Sequence, residues 1–256
     1  MRVAAVGDIV GSAGTDFFCK KAAVLRREYK ADIIIVNAEN SAYSGVGVTK
    51  TTAGALLAAG ADILTTGNHA FRSRDYRELF EDQPLILRPE NFARGVAGRG
   101  VGIIDTGRYR LAVINLVGQS FMENADSYFD ALDRVLAGLD TRLVIVDFHA
   151  EATAEKRSLG FYADGRISAL FGTHTHVQTA DNTVLPKGTG YISDIGMTGP
   201  EISVLGVEPS AAVQKQRLRI PTVFSVADGP SVLCAAVFDI DEQTGLCRST
   251  ERVMLR

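Results

Sequence analysis

Two histidines two residues apart, in Gly172-Thr173-His174-Thr175-His176-Val177, follow an apolar run, and such a pair suggests metal binding. On a strand or its extended exit, residues i and i+2 share a face, so both imidazoles are expected to converge on one point. The chain has four histidines, and the other two stand in similar places. His69 follows an apolar segment in Thr66-Gly67-Asn68-His69-Ala70, and His149 ends Leu143-Val144-Ile145-Val146-Asp147-Phe148-His149. Asp8 follows Val3-Ala4-Ala5-Val6-Gly7, and Glu39-Asn40 follow Ile33-Ile34-Ile35-Val36-Asn37-Ala38. A lone Asp after a strand is commonly a turn residue. Five apolar runs that each end in a metal-ligand type are a pattern of another kind.

Carboxylate and amide oxygens with imidazoles suit a borderline first-row cation, and iron, manganese, zinc or nickel all qualify. Six or seven such groups are too many for one catalytic ion that must keep an open position. Two ions roughly 3.5 to 4 Å apart, bridged by one carboxylate, would use them all.

The elements that carry these residues alternate between strand and helix. Short apolar runs at Val3–Val6, Asp32–Asn37, Asp62–Thr65, Leu143–Phe148 and Ile167–Phe171 read as strands buried on both faces. Helices are expected over about Asp16–Tyr29, after a Gly11–Gly14 turn, and over Thr49–Ala59, Ser127–Leu139 and Ala152–Tyr162. That order implies parallel neighbours, whose carboxyl ends lie along one edge where ligands bind. Three antiparallel hairpins are expected, at Val101–Asp105 with Leu111–Asn115, Thr183–Leu185 with Thr189–Ile192, and Val232–Ile240 with Leu246–Met254. Gly196–Gln216, rich in Gly, Pro and Ser, reads as a long surface loop or lid. The fold class is therefore α/β, with mixed sheets flanked by helices in one domain spanning residues 1–256.

Of the 256 residues, 46% are hydrophobic and 22% charged, which is ordinary for a chain with a sizeable core. Net charge is −3 and the Lys and Arg are dispersed, so the footprint of a protein gripping long nucleic acid is missing. Cys19, Cys234 and Cys247 are odd in number and far apart, which points to a reducing cytoplasm. No run approaches the ~18 to 20 apolar residues of a membrane span. Apolar edge hairpins and the Gly196–Gln216 segment suggest a homo-oligomer.

Gly7-Asp8, Glu39-Asn40, Gly67-Asn68-His69, His149 and Gly172-Thr173-His174-Thr175-His176 resemble the ordered motif blocks of calcineurin-like metallophosphoesterases. The strings Asp147–Lys156, Gly172–Asn182, Leu185–Thr189 and Asp194–Pro200 resemble a bacterial subgroup, the YmdB-like phosphodiesterases. The resemblance spans nearly the whole chain. It implies a four-layer α/β/β/α sandwich and a dinuclear centre, often di-iron, that hydrolyses small phosphodiesters including 2′,3′-cyclic nucleotides. Carried over by position, Asp8, Glu39, Asn40 and His176 would hold one ion, and Glu39, Asn68, His149 and His174 the other. Substrate would meet Asn40 and His69. A water activated between the ions would attack phosphorus while His69, assigned no metal, protonates the departing ribose oxygen. The wider superfamily has Asp-x-His in its first block, and here Asn40 stands in for the missing histidine. Glu39 likewise replaces a bridging Asp. After His69, Ala70-Phe71-Arg72 departs from the aromatic and acid expected there. The alternatives are a phosphomonoesterase, an RNA nuclease, or a metal-containing regulatory or RNA-associated protein whose hydrolysis is incidental.

Overall fold

The computed structural model describes residues 1–122 and 124–256. Its first half runs β1 (Arg2–Val6), β2 (Asp8–Ile9), α1 (Gly11–Arg27), β3 (Ile33–Asn37), α2 (Lys50–Ala58), β4 (Ile63–Thr65), α3 (Tyr76–Asp82), then β5 (Val101–Asp105) and β6 (Arg110–Val117). The second half runs α4 (Tyr128–Gly138), β7 (Leu143–His149), α5 (Thr153–Ala163), β8 (Ala169–Thr173), β9 (Thr183–Val184), β10 (Gly190–Ile192), β11 (Met197–Pro200), α6 (Pro209–Leu218), β12 (Ser231–Ile240) and β13 (Cys247–Leu255). One sheet of seven strands has the order β2-β11-β12-β1-β3-β4, with β13 also on β12, and the other of six has the order β5-β6-β7-β8-β10-β9.

Side-chain alternation along these strands builds the layers. In β1, Val3 and Ala5 face a core shared with Val113, Ile145 and Phe171 of the second sheet. Ala4 and Val6 of the same strand face Phe18, Leu25 and Leu56 of α1 and α2. On the far side, Ile114, Val146 and Leu170 meet Leu132 of α4 and Leu159 of α5. Both sheets are thus apolar on two faces, which is why their strands read as continuous hydrophobic runs. The result is the α/β/β/α sandwich with mixed sheets.

β1, β3 and β4 are parallel, as are β6, β7, β8 and β10. Their carboxyl ends carry the groups singled out in the sequence, and the registers Asn37↔Thr65 and His149↔Thr173 bring those ends level. All three expected hairpins are antiparallel pairs, β5/β6, β9/β10 and β12/β13.

Two expectations change. Gly196–Gln216 is not one long loop: Met197–Pro200 is fully buried strand between β2 and β12, and Pro209–Leu218 is a helix capped by Glu208, whose carboxylate accepts from the Ser210 and Ala211 amides. Met-Thr-Gly-Pro has no alternation to betray a strand, and α6 buries only Ala212, so it lacks an apolar stripe. Gly11–Gly14 is not a separate turn but the first turn of α1. Gly14 is required there, because a Cβ would stand 2.2 Å from the Thr198 carbonyl oxygen on β11.

Candidate functional site

The four histidines and the polar partners Asp8, Glu39, Asn40 and Asn68 gather where the strands of both sheets end. Asp8 is fully buried in β2; its Oδ2 accepts from the His174 amide (3.2 Å), and its Oδ1 lies 3.8 Å from His176 Nε2. Glu39, also buried, accepts the His69 amide at Oε1 (2.6 Å), and the same oxygen lies 3.5 Å from His149 Nε2. His149 Nε2 further meets Asn68 Oδ1 and His174 Nδ1, both at 3.1 Å. Asn40 places its amide nitrogen 3.3 Å from His176 Nε2 and its oxygen 2.9 Å from His69 Nδ1.

The His174/His176 pair reaches this basin by a route the sequence did not suggest. Both residues are left-handed, with φ of 99° and 63°, so they do not share the face of an extended strand. Instead they point to two neighbourhoods, His174 to His149 and His176 to Asp8 and Asn40. Such backbone costs on the order of 1–3 kcal/mol per residue and persists where surroundings enforce it. Thr175, between them, donates from its amide (3.1 Å) and hydroxyl (2.8 Å) to Asp194 Oδ2, which also takes the buried Lys156 ammonium (2.8 Å). His176 Nδ1 stands 2.8 Å from the Leu205 carbonyl oxygen, and His174 Nε2 stands 3.2 Å from Glu151. A carbonyl can only accept, so His176 carries a proton at Nδ1 and turns Nε2 toward Asp8. Asp194, Lys156, Glu151 and Leu205 carried no functional signal of their own in the sequence. Gly67 makes room for His149, since a Cβ there would lie 2.1 Å from the imidazole Cδ2.

Burial dominates the electrostatics. It pushes Glu39 up to about 8, against the His69 amide that lowers it, and it also raises Asp8. Desolvation likewise holds His149 well below the ordinary imidazole value, lowers His174, and takes His69 to about 4, where Arg72, His174 and His176 add to the effect. The basin by itself therefore resists both carboxylate and imidazolium charge.

Among the described residues, Asp8 Oδ1 and Glu39 Oε2 find no hydrogen-bond partner, and both are buried. Asn68 Oδ1 and Glu39 Oε1 are acceptors that crowd one imidazole nitrogen. Acceptors facing acceptors are costly unless a proton or cation lies among them. Among the described residues, no three His, Cys, Asp or Glu side chains by themselves close around a point as a metal sphere does. Asn40 and Asn68 supply the further oxygens that such a sphere could use. For Asn40 to offer its oxygen beside His176, its amide must turn over from the orientation described above.

A cavity of about 230 Å³ opens beside Asn68, walled by Phe71, Arg72 and Phe92.

The description of a YmdB-like protein fits residues 4–253. The chain belongs to this family. The YmdB-like match is supported by a relative from Bacillus subtilis (strain 168), a 2′,3′-cyclic-nucleotide 2′-phosphodiesterase, which is 42% identical and aligns over 100% of this chain and 97% of its own length. A crystal structure of a hypothetical protein from Thermus thermophilus superposes with a TM-score of 0.94 at 34% identity, covering 100% of this chain and 99% of that one. A structure described as a novel phosphatase from Mycoplasma pneumoniae also gives 0.94, at 32% identity, covering 100% and 93%. The family places the chain among the calcineurin-like metallophosphoesterases, as its motif blocks suggested, and implies a metal-dependent active site.

Proposed function

We propose that this YmdB-like chain is a metal-dependent phosphodiesterase acting on small phosphodiesters, 2′,3′-cyclic nucleotides foremost, at two ions held in the basin. The observation that carries the reading is the pair of buried carboxylate oxygens, Asp8 Oδ1 and Glu39 Oε2, that find no hydrogen-bond partner among the described residues, in a basin that His176 Nε2 and His149 Nε2 also face. The full-length likeness to the Bacillus cyclic-nucleotide phosphodiesterase supports it. Asp8, Asn40 and His176 would hold one ion, Asn68, His149 and His174 the other, with Glu39 across both. Iron is the first choice, and manganese, zinc or nickel suit the same donors.

When bound, the two ions supply charge neutralisation and a water activated at neutral pH. The chain's own groups do the rest. Asn40 presents its amide toward the equatorial oxygens of the phosphate, a fixed dipole where negative charge grows. His69, with a side chain 27% exposed, stands at the open side, where it can protonate the departing ribose oxygen. The nucleoside would lie in the cavity beside Asn68, against Phe71, Phe92 and the Arg72 guanidinium.

Metal analysis of protein purified without added ions, paired with turnover on 2′,3′-cyclic AMP, a phosphomonoester and short RNA, tests the reading. The expected result is about two ions per chain and preference for the cyclic diester. Activity on the monoester alone would defeat it and favour the phosphatase reading that the Mycoplasma relative's description suggests. Arg72→Ala is expected to raise KM for the cyclic nucleotide by roughly 10-fold or more with kcat little changed, the size of a lost charge-assisted contact made equally in ground and transition states. An unchanged KM would put the nucleoside elsewhere.

The setting we propose is the cytoplasm, where the three unpaired cysteines would stay reduced. Among the described residues, no helix is long and apolar enough to cross a membrane.

A further inference from the structure

Beneath the basin, where the two sheets meet, lies a polar cluster that the reading above does not use. Asp147, Thr173, Asn37 and Thr65 come from β7, β8, β3 and β4, and all four are fully buried. Asp147 Oδ2 accepts from Thr65 Oγ1 (2.5 Å) and Asn37 Nδ2 (2.9 Å), while Oδ1 accepts from Thr173 Oγ1 (2.7 Å). Thr173 Oγ1 lies 2.9 Å from His149 Nδ1. On the other branch, Asn37 Oδ1 accepts the Glu39 amide (3.0 Å).

Proton counting orders this cluster. The Asn37 amide is fixed, because its oxygen is taken by the Glu39 N–H and its nitrogen must therefore donate to Asp147. Thr173 has a single hydroxyl proton. Given to the carboxylate, it leaves only an oxygen lone pair for His149, so Nδ1 must carry the imidazole proton. The unprotonated Nε2 then faces Asn68, Glu39 and His174.

We propose that Asp147 is a positioning residue for the basin: through Thr173 it holds His149 as the Nδ1–H tautomer, and through Asn37 it anchors the backbone that carries Glu39. One carboxylate thereby orients a candidate ligand from each sheet, the kind of outer partner whose loss typically lowers metal affinity about 10- to 100-fold. The proposal rests on the reading of the basin as a metal site, but its tautomer half can be measured without metal.

Asp147→Asn discriminates this role from simple packing. At the Oδ2 position the new amide meets the Asn37 donor, so its oxygen must settle there and its NH₂ falls on the Thr173 side. Thr173 then accepts, turns its proton to His149 Nδ1, and leaves Nε2 protonated and unfit as a ligand. Long-range ¹⁵N NMR of metal-free protein at about pH 8.5 should show His149 as Nδ1–H in the wild type and in Thr173→Ser, and as Nε2–H in Asp147→Asn. Titration with Mn²⁺ should show a roughly 10- to 100-fold weaker Kd for Asp147→Asn and Thr173→Val, restored in Thr173→Ser. An Nε2–H tautomer in the wild type overturns the proposal without needing any variant to fold. Wild-type tautomer and Mn²⁺ affinity in folded Asp147→Asn would also overturn it. A wild-type protein with His149 in the Nδ1–H form that binds no Mn²⁺ would instead sink the metal reading and leave the tautomer relay standing.

Discussion

His69→Ala lowers turnover on 2′,3′-cyclic AMP by about 10² to 10⁴-fold while bound metal stays at the wild-type level. The two outcomes separate because His69 works from two places. Its backbone amide holds Glu39 Oε1 at 2.6 Å, and alanine keeps that amide, so the carboxylate across both proposed ion positions is still anchored. Only the imidazole is lost, and with it the donor for the leaving oxygen. In the chain alone His69 is held at about 4, first by burial and then by Arg72, His174 and His176, so it is neutral at pH 7. A phosphodiester anion beside it acts in the opposite sense, favouring the charged imidazolium. The wild-type kcat should therefore decline toward alkaline pH as that proton is lost, and His69→Ala should lack this limb. Loss of metal from His69→Ala would show that the imidazole is a ligand and that its role as acid is wrong.

Much of this basin was legible because strand ends declare themselves. Asp8, Glu39, Asn68, His149 and His174 each follow an apolar run, and two-faced burial in a parallel sheet forces such runs to be continuous. The positions of the residues could be read, whereas their geometry could not. His174 and His176 were expected to share a face by extended alternation, yet left-handed backbone aims them at two neighbourhoods. What enforces that backbone is Asp194, nearly twenty residues on, and no local pattern encodes a contact of that range. β11 and α6 were hidden for opposite reasons. The strand is buried but too short and glycine-interrupted to alternate, and the helix is regular but too exposed to carry a stripe. Asp147 did leave a mark, as a charge inside the run Leu143–His149 two residues before a histidine and hence on its face of the strand. A carboxylate in a strand buried on both faces has to find donors, and here Asn37, Thr65 and Thr173 supply them.

Metal-free protein loses stability as pH rises from about 6.5 to about 8, the reverse of what carboxylates in surface ion pairs produce. Glu39 titrates near 4.5 when unfolded and near 8 in the fold, and burial is the main cause. Between those values the unfolded chain has released the proton and the native chain keeps it, so each pH unit favours unfolding by about 1.4 kcal/mol. Asp147, raised to about 7 by burial, adds in the same direction over its own range. His69, His149 and His174 oppose them at lower pH, because they are neutral in the fold but charge in the unfolded chain below 6.5. That opposition fades over about one pH unit above 6.5, as the last unfolded-state imidazolium is lost, and the carboxylates then act alone. Between pH 6.5 and 8 Glu39 contributes about 2 kcal/mol and Asp147 less, the three histidines offset about 1, and the net loss of ~1–2 kcal/mol is for a chain of this size a fall in Tm of roughly 3–6 °C. Saturating Mn²⁺ should abolish the decline, since a cation stabilises the ionised carboxylates in the fold. Glu39→Gln should remove most of the decline in chelator, because glutamine has no proton to lose. A Tm that stays level or rises from about pH 6.5 to 8 in metal-free wild type would mean that these carboxylates are ionised in the fold without a cation, and the case for a metal pair built on their isolation would fall with it.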